Sequence, residues 1–291
     1  MAFLVKKIVQ LSTNQKTAAS LHLNYHKTAN LRPMAFHSDS RQETGRVLSA
    51  YMDIKASVHV KDLGIFCCSR VPKGLSCGDF VTLTSVDTER GTAVVSEVGD
   101  KDKLLSVRPK IAHLDQIIVL WKPEDVVGKK GYSLTRFLVQ AHSKKVAEVR
   151  IALKAAEKEP EVVDRALSRL DSWGYESKVL VTPSPLELRE VLEGRTTALF
   201  GPPIGKTELL NTILDEKIVE KKGQTSAYIL YPFAGGYVGD TPGSWMTELG
   251  HIDRAHLASY FPEFDGAGFN RNKENRTERF KYYEKILRDL K

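Results

Sequence analysis

The residues best suited to chemistry lie in a glycine- and proline-rich turn, ALFGPPIGKTELLN, at residues 198–211. Here Gly205, Lys206 and Thr207 follow an apolar run typical of a strand and precede an amphipathic run typical of a helix. Such a turn points backbone N–H groups and a helix N-terminus at phosphate oxygens. The lysine then reaches the β- and γ-phosphates of a nucleotide, and the threonine hydroxyl binds Mg²⁺. The segment therefore predicts a nucleotide phosphate site, in which Gly201 is a further candidate contact.

The turn departs from the P-loop consensus, G-x-x-x-x-G-K-[ST], in its first half. Strict spacing puts Phe200 where the first glycine belongs, and Pro202 and Pro203 lie inside the loop. A proline fixes its own φ and has no N–H to donate, whereas a hydrogen bond to a charged group contributes roughly 1.5–3 kcal/mol. Two interpretations stay open. Either a shortened loop that uses Gly201 still binds nucleotide, or the turn preserves the fold and no longer binds nucleotide tightly.

The segment GYVGDTPG adds an acidic residue to the predicted site. Asp240 ends an apolar strand pattern, which is where a P-loop site has the acidic group on its magnesium side. The N–H of Gly243 is then expected to face a γ-phosphate. If a nucleotide binds, Thr207 and Asp240 are the candidate Mg²⁺ residues.

The composition is that of a basic chain long enough for two domains. It has 291 residues, 42% of them hydrophobic, a formal charge of +7 and a pI near 9.1. This charge fits a surface that faces nucleic acid, and it equally fits a basic protein with no such partner. No stretch approaches the roughly 20 apolar residues of a membrane span, so we expect no membrane partner.

Three cysteines, Cys67, Cys68 and Cys77, lie in one short segment, and none follows them. Adjacent residues of a strand point to opposite faces, so Cys67 and Cys68 form a poor metal pair. No cluster of histidine and cysteine has the spacing of zinc ligands. We predict buried or half-buried free thiols in a reducing compartment, and no zinc site.

Residues 1–40 differ from the rest of the chain. They are rich in lysine, serine and threonine and contain no acidic residue before Asp39. An acid-poor, hydroxyl-rich basic segment without a continuous apolar core is typical of an organellar transit peptide. The composition predicts localisation in the mitochondrial matrix, with a plastid or the cytoplasm as alternatives. A disordered basic arm that contacts RNA is the other interpretation of this segment.

Two patterns divide the remaining chain. Residues 43–109 contain five short strand patterns separated by glycine turns, which predicts a small barrel of the oligonucleotide-binding (OB) type. From 110 to 262, apolar strands alternate with helices, which predicts a mostly parallel sheet with both faces covered. Residues 263–291 predict a basic C-terminal helix with an apolar stripe at Phe280, Tyr283, Ile286, Leu287 and Leu290.

The order of these segments resembles the circularly permuted GTPases of small-subunit ribosome assembly, the RsgA or YjeQ family. The resemblance covers about residues 43–264. It is carried by these segments: GRV at Gly45–Val47, GDFV at Gly78–Val81, LLSVRP ending at Arg108 and Pro109, AHLDQIIVL, LEGRTTALFGPPIGKTELLN, GGYVGDTPG, and LASYFPEF at Leu257–Phe264. It implies an OB barrel, a circularly permuted P-loop GTPase domain, GTP or GDP with Mg²⁺, and small-subunit rRNA, ribosomal proteins and other assembly factors as partners.

The chain also departs from the pattern of that family. The guanine-reading motif Asn-Lys-x-Asp corresponds to Leu153, Lys154 and Ala156 here, so the carboxylate that reads guanine is missing. A site built on such hydrogen bonds discriminates by about 10⁴ or more, and this discrimination should be lost. Ser244 stands after DTPG, so no obvious group orients water. No cysteine follows Cys77, so we expect no counterpart of the C-terminal zinc knuckle of the family.

Two functional hypotheses follow from the resemblance and the departures. The first is an rRNA-binding assembly factor whose GTPase fold binds and hydrolyses nucleotide weakly or not at all, a pseudo-GTPase with no assigned catalytic residue. The second is an active GTPase that couples hydrolysis to late small-subunit maturation. Basic residues of the barrel and of the C-terminal segment are the candidate RNA contacts: Arg46, Lys61, Arg70, Lys73, Arg90, Arg271, Lys273, Arg276 and Arg279.

Overall fold

The computed structural model describes residues 42–51, 53–155, 160–214, 227–243, 247–264 and 278–290. The chain divides into two compact units, the first extending to Lys101 and the second beginning at Asp102 rather than at residue 110. The contacts of Asp102 explain why the second unit begins there. The Asp102 carboxylate accepts the N–H groups of Leu104 and His113 and lies 3.3 Å from the buried Nζ of Lys144, which ties this segment to the second unit. In the described ranges, no helix combines the length and apolar character needed to cross a membrane.

The first unit is a closed five-stranded barrel, as the sequence predicts. Its strands follow one another in space in the order β1-β2-β3-β5-β4. They are β1 (Glu43–Tyr51), β2 (Lys55–Val60), β3 (Gly64–Ser69), β4 (Phe80–Asp87) and β5 (Thr92–Val98). Apolar residues that alternate along each strand fill the interior, among them Val47, Val58, Phe66 and Leu83. The period of two places these side chains on one face, and closure of the barrel leaves polar residues outside.

The three cysteines are free thiols, as predicted. Cys68 is fully buried in the barrel core, and burial raises the pKa of its thiol to about 12. Cys77 is also buried and donates to the carbonyl of Leu48 at 3.2 Å. Cys67 is half-buried on the other face of β3. Among the residues that the structure describes, no group of histidine, cysteine or acidic side chains has the arrangement of a metal site.

The second unit contains a six-stranded sheet in the order β10-β11-β9-β6-β7-β8. Only the β10–β11 pair is antiparallel, which confirms the prediction of a mostly parallel sheet. The strands are β6 (Gln116–Trp121), β7 (Glu148–Leu153), β8 (Val179–Val181), β9 (Thr196–Phe200), β10 (Ile229–Phe233) and β11 (Gly236–Asp240). Every residue of β6 and β9 is buried, so both faces of the sheet are covered at its centre.

Helices follow the strands and reverse the chain between them. They are α1 (Pro123–Val127), α2 (Gly131–Ser143), α3 (Pro160–Asp171), α4 (Pro185–Leu192), α5 (Lys206–Leu214) and α6 (Glu278–Asp289). The sequence does not predict α1, which is a single short turn. A capping box starts α4, since the Ser184 hydroxyl accepts the Glu187 N–H and the Glu187 carboxylate accepts the Ser184 N–H. The carboxyl ends of β6, β7, β9 and β11 meet at one edge of the sheet, where ligands of such folds bind.

The C-terminal helix α6 packs on α2 and on the 3₁₀ helix Arg254–Tyr260. Ile286 of α6 and Leu290, the residue after its end, are buried against Leu257 and Phe261, and Tyr283 and Leu287 pack beside them. Phe280 is 8% exposed. The apolar stripe predicted from the sequence is therefore a packing surface.

Arg279, predicted as an RNA contact, is instead a fully buried residue. Its guanidinium lies 4.9 Å from the ring centroids of Trp173 and Phe261 and donates to Glu263 at 2.7 Å. The prediction was wrong because a basic run does not show which of its members the helix turns inward. Burial raises the pKa of Glu263, and the nearby guanidinium opposes that shift.

Removing one partner of this buried ion pair should destabilise the fold. Arg279→Ala leaves the Glu263 carboxylate buried without its cation, which costs about 3–5 kcal/mol. We expect a loss of that size in the free energy of unfolding, measured by denaturant titration. The control is Arg288→Ala, which alters an exposed arginine of the same helix and should change stability by less than about 0.5 kcal/mol. Equal stability of both variants would contradict a structural role for Arg279.

Candidate functional site

The phosphate turn begins at Gly201, one residue later than the consensus first glycine. The Phe200 side chain is buried, and its ring meets Phe137 edge-on at 5.2 Å. The chain then turns at Gly201 with φ +126°, and a Cβ at this position would lie 2.8 Å from the Leu120 carbonyl oxygen. Only glycine combines this φ with so close a backbone approach. The phenylalanine is therefore a core residue, and the position that requires glycine in this turn is 201, one residue after the consensus position.

Lys206 lies beneath the turn and bonds to its backbone. Its Nζ donates to the carbonyls of Gly201 at 2.8 Å and Pro202 at 3.1 Å. The residue is 4% exposed, and burial lowers the pKa of the amine to about 8, with the Asp240 carboxylate acting in the opposite direction. At neutral pH the turn therefore still encloses a cation at the start of α5.

Thr207 and Asp240, the candidate Mg²⁺ residues, face each other. The Thr207 hydroxyl lies 3.5 Å from Oδ2 of Asp240, whose side chain is buried at the end of β11. The next residue, Thr241, donates its hydroxyl to the Leu199 carbonyl at 2.6 Å and fixes this end of β11 to β9. A hydroxyl and a carboxylate oxygen are hard ligands of the kind that Mg²⁺ prefers, so the donor set fits this ion.

Lys154, which the resemblance assigns to a base-reading motif, lies over the predicted phosphate turn. The Nζ of Lys154 pairs with the Glu208 carboxylate at 2.6 Å. It is also 2.7 Å from where a Cβ on Gly205 would stand, and Gly205 has φ +111°. Glu208 is not among the residues predicted from the sequence, because its partner lies 54 residues away and no motif links them. The pair joins the end of β7 to the first turn of α5.

The other two base-reading positions supply no group that reads a base. Leu153 is fully buried at the end of β7, and its carbonyl accepts the Thr182 N–H at 2.9 Å. Ala156 lies outside the described residues. Thr182 accepts the Ala155 N–H at 3.2 Å, so the loop after β8 is bonded to the segment after β7.

Gly243 lies on the other side of the turn. A Cβ on this residue would be 3.0 Å from Cβ of Pro203 and 3.2 Å from Nζ of Lys206. The structure thus brings the six predicted nucleotide contacts to one edge of the sheet: Gly201, Gly205, Lys206, Thr207, Asp240 and Gly243.

The RNA candidates of the barrel separate into two groups. Lys61, Arg70, Lys73 and Arg90 are exposed, as a contact with RNA requires. Arg46 was a wrong prediction, since it is 5% exposed and its guanidinium lies 4.2 Å from the centre of the Phe80 ring. The register of β1 and β4 pairs these two residues, and it is this stacking that turns the arginine away from solvent. Three C-terminal candidates lie outside the described residues: Arg271, Lys273 and Arg276.

A sequence model described as the RsgA GTPase matches residues 96–250, more than half of the chain. The chain belongs to the RsgA GTPase family. Relatives named small ribosomal subunit biogenesis GTPase RsgA include those of Trichormus variabilis and Thermotoga neapolitana. The first is 24% identical over 81% of this chain and 68% of its own length. The second is 28% identical over 80% of each chain.

A third relative of this RsgA-family chain, the RsgA of Geobacillus thermodenitrificans, is 30% identical over 66% of the chain and 70% of its own length. The fold has a counterpart in the crystal structure of YloQ, a circularly permuted GTPase. The two superpose with a TM-score of 0.64 at 17% identity, over 88% of this chain and 98% of YloQ. The comparison confirms the predicted architecture of a barrel followed by a circularly permuted GTPase-like unit.

Any phosphate ligand of the turn should depend on the Lys206 ammonium. Lys206→Ala removes one charge-assisted hydrogen bond, worth about 1.5–3 kcal/mol, which corresponds to roughly ten- to hundredfold in affinity. We expect GDP affinity, measured by calorimetry with Mg²⁺, to fall by at least tenfold. Lys281→Ala, which alters an exposed lysine of α6, is the control and should leave affinity unchanged. GDP binding that survives Lys206→Ala would place the ligand elsewhere.

Proposed function

We propose that this chain is an assembly factor of the small ribosomal subunit that binds rRNA, and that its GTPase fold has weakened nucleotide binding and hydrolysis. The names of its relatives support the ribosomal role. One observation supports the proposal that nucleotide binding and hydrolysis are weakened. The turn keeps Lys206 and Thr207 beside Asp240, whereas Leu153 is buried and Lys154 is paired with Glu208. Phosphate chemistry is therefore retained in a site that has lost its guanine reader.

The phosphate side has a defined set of residues for a weakly held nucleotide. Lys206 and the first N–H groups of α5 would hold phosphate oxygens, and Thr207 and Asp240 would hold Mg²⁺, which neutralises phosphate charge when bound. The loop has two fewer N–H donors than a non-proline loop, at Pro202 and Pro203. Ser244 follows Gly243 in the sequence, and its short hydroxyl does not replace the glutamine that orients water in other GTPases.

The alternative is an active GTPase that couples GTP hydrolysis to late small-subunit maturation. The joint retention of Lys206, Thr207 and Asp240 favours it. The two proposals differ in how small subunits affect GTP hydrolysis. An active GTPase should release more phosphate when small subunits are added, whereas a factor with a weakened site should not.

The barrel supplies the proposed rRNA surface, with ribosomal proteins and other assembly factors as further partners. Replacing Lys61, Arg70, Lys73 and Arg90 by alanine should weaken co-sedimentation with isolated small subunits. Each lost phosphate contact should also flatten the salt dependence of log K by about 0.7–0.9. The control replaces four exposed basic residues of the second unit, Lys129, Lys145, Lys281 and Arg288, which removes the same charge. Identical affinity and salt slope for wild type and the barrel variant would refute this surface.

We further propose that the chain acts in the mitochondrial matrix, on the basis of the composition of residues 1–40. These residues lie outside the described part of the chain. A fluorescent reporter fused to them should enter mitochondria. Replacing Lys6, Lys7 and Lys16 by glutamate should keep it in the cytosol, because import signals of this kind are basic. A native fusion found in plastids or in the cytosol would contradict the proposal.

A further inference from the structure

We propose that one rim of the barrel binds unpaired RNA bases, so that the first unit recognises single-stranded and not duplex segments of RNA. This rests on the proposed function, in which the barrel supplies the rRNA surface, and it adds the kind of RNA and the part of the barrel that binds it. Three observations support it: exposed aromatic and apolar side chains at this rim, exposed cations beside them, and hydrogen bonds that hold both in place.

The strand directions define two rims of the barrel. Strands β1, β3 and β5 run one way, and β2 and β4 run the other way. The ends of β1, β3 and β5 and the starts of β2 and β4 therefore lie at one rim, here called the first rim. The β2–β3 and β4–β5 turns lie at the opposite rim. Barrels of the OB type commonly bind oligonucleotides on the face of β2 and β3 and on the β1–β2 and β4–β5 loops, and the first rim shares only the β1–β2 turn with that surface.

Three large apolar side chains at the first rim are more than half exposed. They are Tyr51 at the end of β1, Ile54 in the β1–β2 turn and Phe80 at the start of β4. The guanidinium of Arg46 lies over the Phe80 ring, 4.2 Å from its centroid, and so supports the ring from one side. Unpaired bases stack on exposed rings of this kind, because every base has a π face. Bases inside a duplex are already stacked on one another and do not use such a surface.

Exposed cations accompany these side chains. Lys55 starts β2, and Arg70 and Lys73 lie in the segment between β3 and β4. The carboxylate of Asp53, an acid of the same rim, accepts the N–H of Gly74 at 2.9 Å and is thus bonded to the backbone. Cations bind the phosphates between successive bases. Rings interspersed with cations are the pattern found in proteins that bind single-stranded nucleic acid.

The opposite rim has a different balance of charge. Lys61 and Arg90 lie there together with three acidic residues, Asp62, Asp87 and Glu89. The Nε of Arg90 is 3.8 Å from Oδ2 of Asp87, and its backbone N–H donates to Oδ1 of the same carboxylate at 2.8 Å. Acidic groups repel the phosphates of RNA. The first rim is therefore the better match for an RNA strand.

Hydrogen bonds connect the segments of the first rim to one another. The Arg70 N–H donates to the Ile54 carbonyl at 3.1 Å, which joins the end of β3 to the β1–β2 turn. The Lys101 ammonium, which follows β5, donates to the Gly74 carbonyl at 3.0 Å and to the buried Asp79 carboxylate at 2.6 Å. It thereby joins the β3–β4 segment to the start of β4. A surface held in this way loses less conformational freedom when it binds a ligand.

The first test compares single-stranded with duplex RNA on the full chain. A fluorescent oligouridylate and an RNA duplex of the same length are titrated at one salt concentration, and binding is measured by fluorescence anisotropy. We expect the single strand to bind at least tenfold more tightly than the duplex, because only its bases are free to stack. A duplex that binds as tightly as the single strand would refute the proposal, as would absence of binding to both RNAs.

Variants that remove a ring test the stacking contribution. Tyr51→Ala should lower the affinity for oligouridylate at least fivefold, because a stacked base loses its partner. The salt dependence should remain that of the wild type, since no phosphate contact is lost. Tyr51→Phe keeps the ring and should keep the affinity. Phe80→Ala should act like Tyr51→Ala, and if it fails to fold because Arg46 loses its partner, the two Tyr51 variants still decide.

Leu63→Ala is the matched control for the loss of an exposed apolar side chain. Leu63 lies in the β2–β3 turn at the opposite rim and is nearly half exposed. Its replacement should leave the affinity for oligouridylate unchanged. A loss of affinity in Tyr51→Ala that is no larger than the loss in Leu63→Ala would refute base binding at the first rim.

Co-sedimentation with small subunits, measured on the same preparations, separates this proposal from the proposed function. A preference for single-stranded RNA without co-sedimentation would refute the ribosomal role and leave base binding at the first rim standing. The converse result is weaker co-sedimentation after loss of the barrel cations, with oligouridylate affinity unchanged by Tyr51→Ala. It would refute base binding at the first rim and leave the rRNA surface standing.

Discussion

The buried ammonium of Lys206 is the interaction on which the site depends. It holds the carbonyls of Gly201 and Pro202 and so closes a turn that has two prolines in place of N–H donors. The Asp240 carboxylate at the end of β11 acts on the same ammonium and opposes the lowering of its pKa by burial. The turn between β9 and α5 consequently stays closed although Pro202 and Pro203 supply no N–H groups.

The two sides of the site differ in the groups that they present. On the phosphate side, the glycine requirement has moved to Gly201, and the Thr207–Asp240 pair fits Mg²⁺. On the base side, Leu153 has become a core residue, and Lys154 forms an ion pair with Glu208 across the turn. An ion pair that is about half exposed contributes little stability. The pair does affect position, because it keeps the Lys154 ammonium beside Gly205.

Much of the fold could be predicted from the sequence, because the signals are local. Alternating β-branched residues and glycine turns gave the barrel strands, and long apolar strands followed by amphipathic runs gave the parallel sheet. The short helix α1 has too few residues to show a helical period.

The predictions that failed concern charged residues that are buried. Arg279 is buried by Trp173, which is 106 residues away, and Arg46 by its cross-strand partner Phe80. No local pattern reports such neighbours. For the same reason nothing in the sequence indicates that Glu208 is the partner of Lys154.

The central proposal is that this family member keeps the arrangement of a phosphate site, while its hydrolysis of GTP is weakened or lost. The most direct measurement is phosphate release from GTP, with and without isolated small subunits, for wild type and Lys206→Ala. The account predicts that small subunits do not raise phosphate release above the Lys206→Ala background. Release that the subunits stimulate in the wild type and that Lys206→Ala abolishes would contradict it and would establish an active GTPase.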